Sequence, residues 1–187
     1  MEMGADILGF NFYQASPRYV PVEKAAAIVT RLPAFMEVAG IFVNETFEII
    51  GQTVEQCQLT WVQLHGDESP EFCRSLHSLN VKTMKALRVR DKDDIEKAQR
   101  YFTDAVLLDA YHPDKYGGTG LSFDWSVIGH VSKRIFLAGG ISPDNVVKAV
   151  QLGVYGVDAC SGIESEPGKK DHNKMRALFE NIKRVRG

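Results

Sequence analysis

Short apolar runs alternate with amphipathic stretches along the chain of 187 residues. The apolar runs are bounded by turn-forming residues and have the length of buried strands. We predict strands at Asp6–Phe12, Glu37–Val43, Thr60–Leu64, Thr83–Val89, Ala105–Asp109, Arg134–Ala138 and Gly156–Cys160. The amphipathic stretches predict helices at Glu23–Leu32, Glu45–Gln56, Pro70–Leu79, Lys92–Tyr101, Trp125–Val131, Pro143–Leu152 and His172–Arg186.

Local signals at the helix ends support this order. Pro70 stands where a first helical turn is expected, and Ser69 or Asp67 can cap that turn. Pro143 marks another helix start in the same way. Gly153 is expected to end that helix, because glycine readily adopts the left-handed conformation of a helix terminus.

Strands that alternate with helices at this spacing predict an α/β fold with a parallel sheet covered by helices. Seven βα units are present, and one more would complete a (β/α)8 TIM barrel. Residues 1–6 resemble the end of a helix and the loop before a strand, so we expect a missing first unit ahead of Met1. A doubly wound open sheet is the alternative, but no G-x-G-x-x-G follows the first predicted strand. Without a linker-like stretch, residues 1–187 are expected to form a single, N-terminally incomplete domain.

The charge balance limits the kinds of partner. The formal net charge is −2 and the sequence pI is about 6.2, so no basic excess points to nucleic acid or an anionic membrane. No apolar run approaches the roughly 18 residues of a membrane span, and no signal-peptide pattern opens the chain. We therefore expect any anionic ligand to be held by a local site rather than by the overall charge of the protein.

Cysteine usage indicates a reducing compartment. Cys57, Cys73 and Cys160 lie far apart in the sequence and form no C-x-x-C pair. This odd number and wide spacing argue against a disulfide framework and against a zinc site. We expect reduced, mostly buried thiols in a cytoplasmic protein. No set of His, Asp, Glu or Cys residues has metal-ligand spacing, so we predict no metal.

Glycine-containing turns follow the last two predicted strands, at Gly139-Gly140 and at Ser161-Gly162. Glycine lets backbone N–H groups approach an anion, and a helix starting at Pro143 would aim its positive end the same way. In α/β barrels a phosphate recurrently binds between the last two strands. We predict a phosphate site here, with two ordinary tight turns as the alternative.

Asp109 closes an otherwise apolar predicted strand. Active sites of α/β barrels lie at the carboxyl ends of the strands, where partial burial raises a carboxyl pKa and suits it to acid catalysis. The alternative is an aspartate that caps the next loop. That loop, residues 111–121, contains the sequence GGTG at 117–120 and has the composition of a segment that folds over a ligand, or of a surface loop.

Two other predicted strand ends carry polar side chains. Arg18 follows the first predicted strand, and its guanidinium is suited to bind a substrate carboxylate, with a surface ion pair as the alternative. His65 follows the third predicted strand and is either an acid–base residue or a polar wall residue.

Six stretches resemble, in collinear order, the phosphoribosylanthranilate isomerase family of tryptophan biosynthesis. They are ADILGFNFYQASPRYV, GIFVNE, VQLHGDESPEFC, LLDAY with GGTGLSFDW, LAGGISPDNV and GVDACSGIESEPGKKD. The resemblance covers essentially the whole chain, and VQLHGDESPE, GGTG-x-x-FDW and SGIES-x-PG-x-KD are its most specific parts.

The resemblance implies a (β/α)8 barrel that uses neither cofactor nor metal. The implied reaction is an Amadori rearrangement of N-(5-phosphoribosyl)anthranilate to 1-(2-carboxyphenylamino)-1-deoxyribulose 5-phosphate. Asp109 would be the general acid that protonates the ring oxygen and opens the ring, and Arg18 would face the anthranilate carboxylate. The other implied substrate-binding positions are Gln63, His65, Gly139, Gly140, Asp158, Ser161 and Gly162.

One family feature has no counterpart in this sequence. The family's general base is a cysteine in a K-x-C-G type motif at the end of the first strand, which takes the C2 proton from the ring-opened imine. Cys57 is predicted at the end of a helix, Cys73 within a helix and Cys160 in a strand, so none corresponds to that base. We therefore expect the segment that carries the base to be absent from this chain.

Two alternatives to catalysis fit the same residues. One is a phosphate-ligand-binding barrel without turnover. The other is a fragment that needs a complementary chain, because a barrel short of one strand exposes two sheet edges. The second alternative predicts a concentration-dependent oligomer, whereas we otherwise expect a monomer or a homodimer.

Overall fold

The computed structural model describes residues 3–111, 123–128 and 133–186. These residues form an α/β fold of parallel strands joined by helices, and they cluster into two compact units. The N-terminal unit comprises residues 5–85 and 101–104. The C-terminal unit comprises residues 86–100 and the described parts of 1–4 and 105–187. The single domain expected from the sequence stays a prediction.

The N-terminal unit contains the first strands of the parallel sheet and their connecting helices. Its elements are β1 (Ile7–Asn11), α1 (Val22–Val29), β2 (Glu37–Phe42), α2 (Phe47–Cys57), β3 (Trp61–Leu64), α3 (Pro70–Ser75), a short 3-10 helix (Leu76–Leu79) and the first half of β4 (Lys82–Val89). Each strand pairs in parallel with the next along the chain, β1 with β2, β2 with β3 and β3 with β4.

Helices α2 and α3 begin where a side chain accepts a hydrogen bond from one of their first N–H groups. The Thr46 hydroxyl accepts a hydrogen bond from the N–H of Ile49 at 3.3 Å, and α2 follows. The Ser69 hydroxyl accepts from Phe72 N–H at 3.2 Å, which confirms the predicted cap of α3. All four residues of β3 are buried, because helices cover one face of the strand and the core covers the other.

The C-terminal unit continues the alternation from the second half of β4. Its further elements are α4 (Lys92–Glu96), β5 (Ala105–Ala110), β6 (Arg134–Leu137), α5 (Val146–Gln151), β7 (Gly156–Val157), β8 (Glu164–Glu166), β9 (Lys169–Lys170) and α6 (His172–Arg186). Strand β5 pairs in parallel with β6, and β6 with β7, whereas β8 and β9 form an antiparallel hairpin that the sequence did not predict.

Several predicted elements are wrong in extent. The strand predicted at Gly156–Cys160 ends at Val157, so Cys160 lies outside it. The helices predicted at Pro70–Leu79 and Lys92–Tyr101 are α-helical only in their first halves and continue as 3-10 turns. Within the described part of the helix predicted at Trp125–Val131, only Trp125–Val127 is helical, as a 3-10 turn.

The helix predicted from Pro143 begins three residues later, at Val146. A turn precedes it, because the carbonyl oxygen of Ser142 accepts hydrogen bonds from the N–H groups of Asn145 and Val146. The predicted helix end is confirmed: Gly153 follows α5 with a φ of +72°.

Seven parallel strands are described, as the sequence predicts, and their carboxyl ends carry the candidate chemistry. The predicted missing first unit is not confirmed. No helix within the described residues is long and apolar enough to cross a membrane.

Candidate active site

Asp109 lies at the carboxyl end of β5, in the C-terminal unit. The residue is only 4% exposed, and its Oδ1 accepts a hydrogen bond from the N–H of Ala110 at 2.9 Å. Burial, followed by repulsion from Asp158, raises the pKa of Asp109 to about 6, although the Ala110 hydrogen bond acts in the opposite direction. A carboxyl group with such a pKa carries a transferable proton close to neutral pH, as acid catalysis requires.

Asp158 is the first residue after β7, and its N–H donates to the carbonyl oxygen of Leu137 at 2.8 Å. Burial raises its pKa, while the positive charge of Lys170 lowers it. Because Asp109 and Asp158 repel each other, their titrations are coupled. Two carboxyl groups in one site with raised pKa values are typical of a catalytic centre.

The Gly139-Gly140 turn follows β6 and packs against the end of β5. Both residues have positive φ angles, +81° and +68°, which glycine adopts without strain. A Cβ atom at Gly139 would lie 2.8 Å from the backbone nitrogen of Ala110 and 3.2 Å from Oδ1 of Asp109. The turn therefore approaches the aspartate as closely as its backbone allows.

Ser161 and Gly162 begin a 3-10 turn after β7. A Cβ atom at Gly162 would lie 2.0 Å from the carbonyl oxygen of Ile141, so only glycine fits. The two predicted phosphate turns are thus in direct contact, one through Gly162 and the other through Ile141. The structure brings together Asp109, Gly139, Asp158 and Gly162 at neighbouring strand ends.

Asn145, which sequence reasoning did not single out, shapes the turn after β6. Its Oδ1 accepts from the N–H of Ser142 at 2.9 Å, and its Nδ2 donates to the carbonyl oxygen of Gly140 at 2.9 Å. These bonds hold the chain in a turn where the sequence predicts the first residues of a helix. The signal that was available is the S-P-D-N sequence, which is rich in turn-forming residues.

Three predicted site residues belong to the N-terminal unit. Arg18 lies in a tight turn after β1, where its N–H donates to the Ser16 hydroxyl at 3.1 Å. Gln63 is buried within β3, and His65 is buried just after it. The backbone N–H of His65 donates to the carbonyl oxygen of Phe42 at 2.8 Å, which ties it to the end of β2. How these residues face the substrate stays a prediction.

A buried ion pair supports the turn that carries His65. Lys85 Nζ lies 2.9 Å from Oε2 of Glu68, and both side chains are at most 3% exposed. The amine also donates to the carbonyl oxygens of Leu64 and Gly66, at 3.2 and 2.7 Å. Sequence reasoning missed this pair. The available signal was a lysine in the middle of a predicted strand with several apolar neighbours, since a buried lysine requires a partner.

Glu68 also links the loops after β2 and β3. Its Oε1 accepts from the N–H groups of Asn44 at 2.8 Å and Gly66 at 3.1 Å. The side chain of Asn44 in turn accepts from the N–H of Asp67 at 2.7 Å. Both polar atoms of the Gly66 backbone are therefore bonded, and the turn after β3 is fixed.

Two of the three cysteines have thiols that stay protonated near neutral pH. Cys73 lies in α3 and is buried, and this burial raises the pKa of its thiol to about 11. Burial also raises the pKa of the Cys57 thiol, at the end of α2. Buried thiols of this kind stay protonated and unreactive. Cys160 is half-buried, after β7.

A cavity of about 570 Å³ lies in the N-terminal unit, at the amino ends of β2 and β4. Its charged residues already pair within the protein. Glu37 Oε1 lies 2.7 Å from Lys82 Nζ, and Oδ2 of Asp104 accepts from the N–H of Thr83 at 2.7 Å. Active sites of folds with this alternation lie at the opposite, carboxyl ends of the strands, so this cavity is not the candidate site.

Two expectations from the sequence concern absent or undescribed features. Within residues 3–111, 123–128 and 133–186, no group of His, Cys, Asp and Glu side chains is arranged to hold a metal ion. The GGTG segment at 117–120, predicted to fold over a ligand, lies outside the described residues.

The fold and these strand ends define a class of protein. A parallel α/β fold that gathers ionisable carboxyl groups and glycine turns at the carboxyl ends of its strands is typical of enzymes that act on small phosphorylated substrates.

Comparison with known proteins identifies the family within this class. A family described as N-(5'phosphoribosyl)anthranilate (PRA) isomerase matches residues 1–181. The chain is 47% identical to the N-(5'-phosphoribosyl)anthranilate isomerase of Trichlorobacter lovleyi, over 98% of this chain and 90% of that protein. The solved phosphoribosyl anthranilate isomerase of Thermus thermophilus superposes with a TM-score of 0.90 at 32% identity, over 98% of this chain and 90% of its own.

A further solved relative carries a ligand. It is a phosphoribosyl anthranilate isomerase in complex with reduced 1-(o-carboxyphenylamino)-1-deoxyribulose 5-phosphate, with a TM-score of 0.82 at 35% identity over 97% of this chain and 89% of its own. The chain therefore belongs to the N-(5'-phosphoribosyl)anthranilate isomerase family.

Proposed function

We propose that the protein is an isomerase that converts N-(5'-phosphoribosyl)anthranilate to 1-(2-carboxyphenylamino)-1-deoxyribulose 5-phosphate, a step of tryptophan biosynthesis. Family membership over nearly the whole chain supports the reaction. The observation that carries the proposal within this chain is Asp109, a buried carboxyl with a pKa of about 6 at a strand end. The reaction begins with the transfer of one proton to an ether oxygen, and this group is suited to provide it.

Asp109 is the general acid of the proposed mechanism. Its proton moves to the furanose ring oxygen, the bond from C1 to that oxygen breaks, and the anthranilate nitrogen forms a double bond to C1. Loss of the C2 proton from this protonated imine gives an enol. Gain of a proton at C1 and loss of the enol hydroxyl proton then give the ketone, so the proton taken from Asp109 is returned over the whole reaction. No atoms are gained or lost overall, so the reaction requires neither a redox cofactor nor a second substrate.

The other predicted residues bind the substrate in this proposal. Backbone groups at Gly139, Gly140, Ser161 and Gly162 surround the phosphate, supported by the contact between Gly162 and the Ile141 carbonyl. Asp158 orders these turns and raises the pKa of the acid. The remaining contacts are made by Arg18, to the anthranilate carboxylate, and by Gln63 and His65, along the wall of the site.

The reaction also needs a general base that accepts the C2 proton. The sequence assigns this role to none of the three cysteines. The raised thiol pKa values of Cys57 and Cys73 support this assignment, because neither thiol ionises near neutral pH.

The proposal is tested by turnover of the 187-residue polypeptide. The substrate is generated in situ and the loss of its fluorescence is followed, with Asp109→Asn as the matched control. We expect turnover that the substitution abolishes. If the chain is inactive, a variant extended by an upstream strand that carries the cysteine is assayed in the same way. Inactivity of that extended variant would overturn the proposal and favour a phosphate-ligand-binding protein.

Three finer expectations also belong to this proposal. The first is closure into a (β/α)8 barrel. The second is a monomer or homodimer, which light scattering over a range of concentrations tests. The third is a cytoplasmic location, which is consistent with Cys57, Cys73 and Cys160, none of which forms a disulfide bond.

A further inference from the structure

The β8–β9 hairpin contains a lysine whose amine is held against the second phosphate turn. Lys170 Nζ donates to the carbonyl oxygen of Cys160 at 3.0 Å and lies 3.7 Å from the Sγ of the same residue. The amine also lies 3.1 Å from Oε1 of Glu164. Cys160 immediately precedes Ser161, so the lysine reaches the backbone at the start of the turn.

Glu164 keeps this amine in place. Only 4% of its side chain is exposed, and its Oε1 also accepts from the N–H of Gly168 at 3.3 Å. A buried carboxylate requires a cation and hydrogen-bond donors to offset its lost hydration. The Lys170 side chain is 37% exposed, but departure of its amine would leave the Glu164 carboxylate buried without its cation, which favours the bonded position.

The same hairpin fixes the other end of the turn. The N–H of Asp171, next to Lys170, donates to the carbonyl oxygen of Ile163 at 2.9 Å. The N–H of Ile163 donates back to the carbonyl oxygen of Cys160 at 3.3 Å, which closes the 3-10 turn. Residues 160–163 are thus held at both ends by residues 170–171. Gly162 of this turn packs closely against the carbonyl group of Ile141 in the neighbouring turn.

The lysine also adds positive charge at this place. Lys170 acts electrostatically on Asp158, where it favours the charged form of the carboxylate. A phosphate dianion bound beside two aspartates is repelled by them, so a fixed cation offsets part of that repulsion. The neighbouring Lys169 differs, because it is largely exposed and forms a surface ion pair with Glu166, at 3.2 Å.

We propose that Lys170 is a positioning residue for phosphate binding, which holds the Cys160–Ile163 turn in the geometry that its backbone N–H groups need. The inference rests on the proposed function for the identity of the substrate, but not for the binding of phosphate itself. In the sequence GKKD at 168–171, the second lysine, Lys170, has this role and the first, Lys169, does not.

The test compares Lys170→Met with Lys169→Met, two adjacent substitutions that change the net charge equally. The readouts are KM and kcat for the substrate, and the inhibition constant of inorganic phosphate. We expect Lys170→Met to raise KM and the inhibition constant by about tenfold or more, since hydrogen bonds from a charged group are lost, with kcat nearly unchanged. Lys169→Met should leave all three at wild-type values, and Lys170→Arg should recover part of the loss.

Unchanged KM and phosphate inhibition in Lys170→Met would overturn the inference, as would equal losses in Lys169→Met or a loss in kcat alone. If Lys170→Met does not fold, the double variant Glu164→Gln/Lys170→Met decides, because it leaves no buried charge unpaired. A folded double variant with weakened phosphate binding supports the role, and one with wild-type binding refutes it. If the wild-type protein has no turnover, phosphate binding followed by 31P NMR still tests Lys170, so the role of this lysine is judged separately from the proposed function.

Discussion

Asp109→Asn is expected to stabilise the protein near neutral pH while it abolishes turnover. The folded state raises the pKa of this carboxyl from its ordinary value of 3.8 to about 6, mainly because the group is buried. Asparagine has nearly the same shape, and its side-chain oxygen can still accept the hydrogen bond from the N–H of Ala110. The substitution therefore removes the charge and leaves the packing unchanged.

The size and sign of the effect follow from the linkage between protonation and folding. A shift from 3.8 to about 6 corresponds to about 3 kcal/mol, at 1.36 kcal/mol per pKa unit. Because the folded state binds this proton more tightly, the wild-type protein has its full stability from the group below pH 3.8. It loses that stability as the pH rises to about 6, and the loss is constant above this value.

The assay is urea denaturation of the wild type and Asp109→Asn at pH 7.5 and at pH 4. We expect the variant to have a free energy of unfolding higher by about 2–3 kcal/mol at pH 7.5 and by much less at pH 4. The reasoning is refuted if the variant is less stable at pH 7.5. An equal difference at both pH values would also refute it, because the gain would then not come from the ionised carboxylate.

Three other substitutions test separate parts of the site and its support. Asp158→Asn should lower the pKa of Asp109, so that the basic limb of the kcat/KM profile moves to lower pH; an unmoved limb would contradict the coupling. Gly162→Ala should raise KM by about tenfold, because its Cβ would lie 2.0 Å from the Ile141 carbonyl oxygen; Gly153→Ala, where no atom lies within 4 Å, is the control for KM. Lys85→Met should lower the free energy of unfolding, measured in urea, by about 3–5 kcal/mol, because it leaves the buried Glu68 carboxylate without its cation. The double variant Lys85→Met/Glu68→Leu should be destabilised less, and a larger destabilisation of the double variant would contradict this cause.

Local sequence signals were sufficient for most of the parallel strands and for the place of Asp109 at the end of one of them. The residues Ala105–Leu108 are continuously apolar and fully buried in β5, and the aspartate that ends this run lies at its carboxyl end. The Ser69-Pro70 pair likewise specifies the start of α3 through one side-chain hydrogen bond. Such features depend on neighbours within a few residues, which the sequence displays directly.

Features that depend on distant partners were not predictable in this way. Lys85 and Glu68 are 17 residues apart, and only the fold brings their side chains together. Strand β7 stops at Val157 and the chain turns at Cys160, where φ and ψ are −119° and −87°, although the sequence predicts a strand as far as Cys160. The β8–β9 hairpin is too short for a periodic signal, and its turn depends on Gly168 at a φ of +84°.

Product identity tests the proposed reaction most directly. The wild-type protein and Asp109→Asn would each be incubated with N-(5'-phosphoribosyl)anthranilate that carries 13C at C2 of the ribose, and the label followed by NMR. With the wild type we predict that the signal moves from the alcohol region to the ketone region, because C2 becomes the carbonyl carbon. With Asp109→Asn it should stay in place. A label that remains an alcohol carbon with the wild type, or that moves equally fast with the variant, would contradict isomerisation by an Asp109 acid.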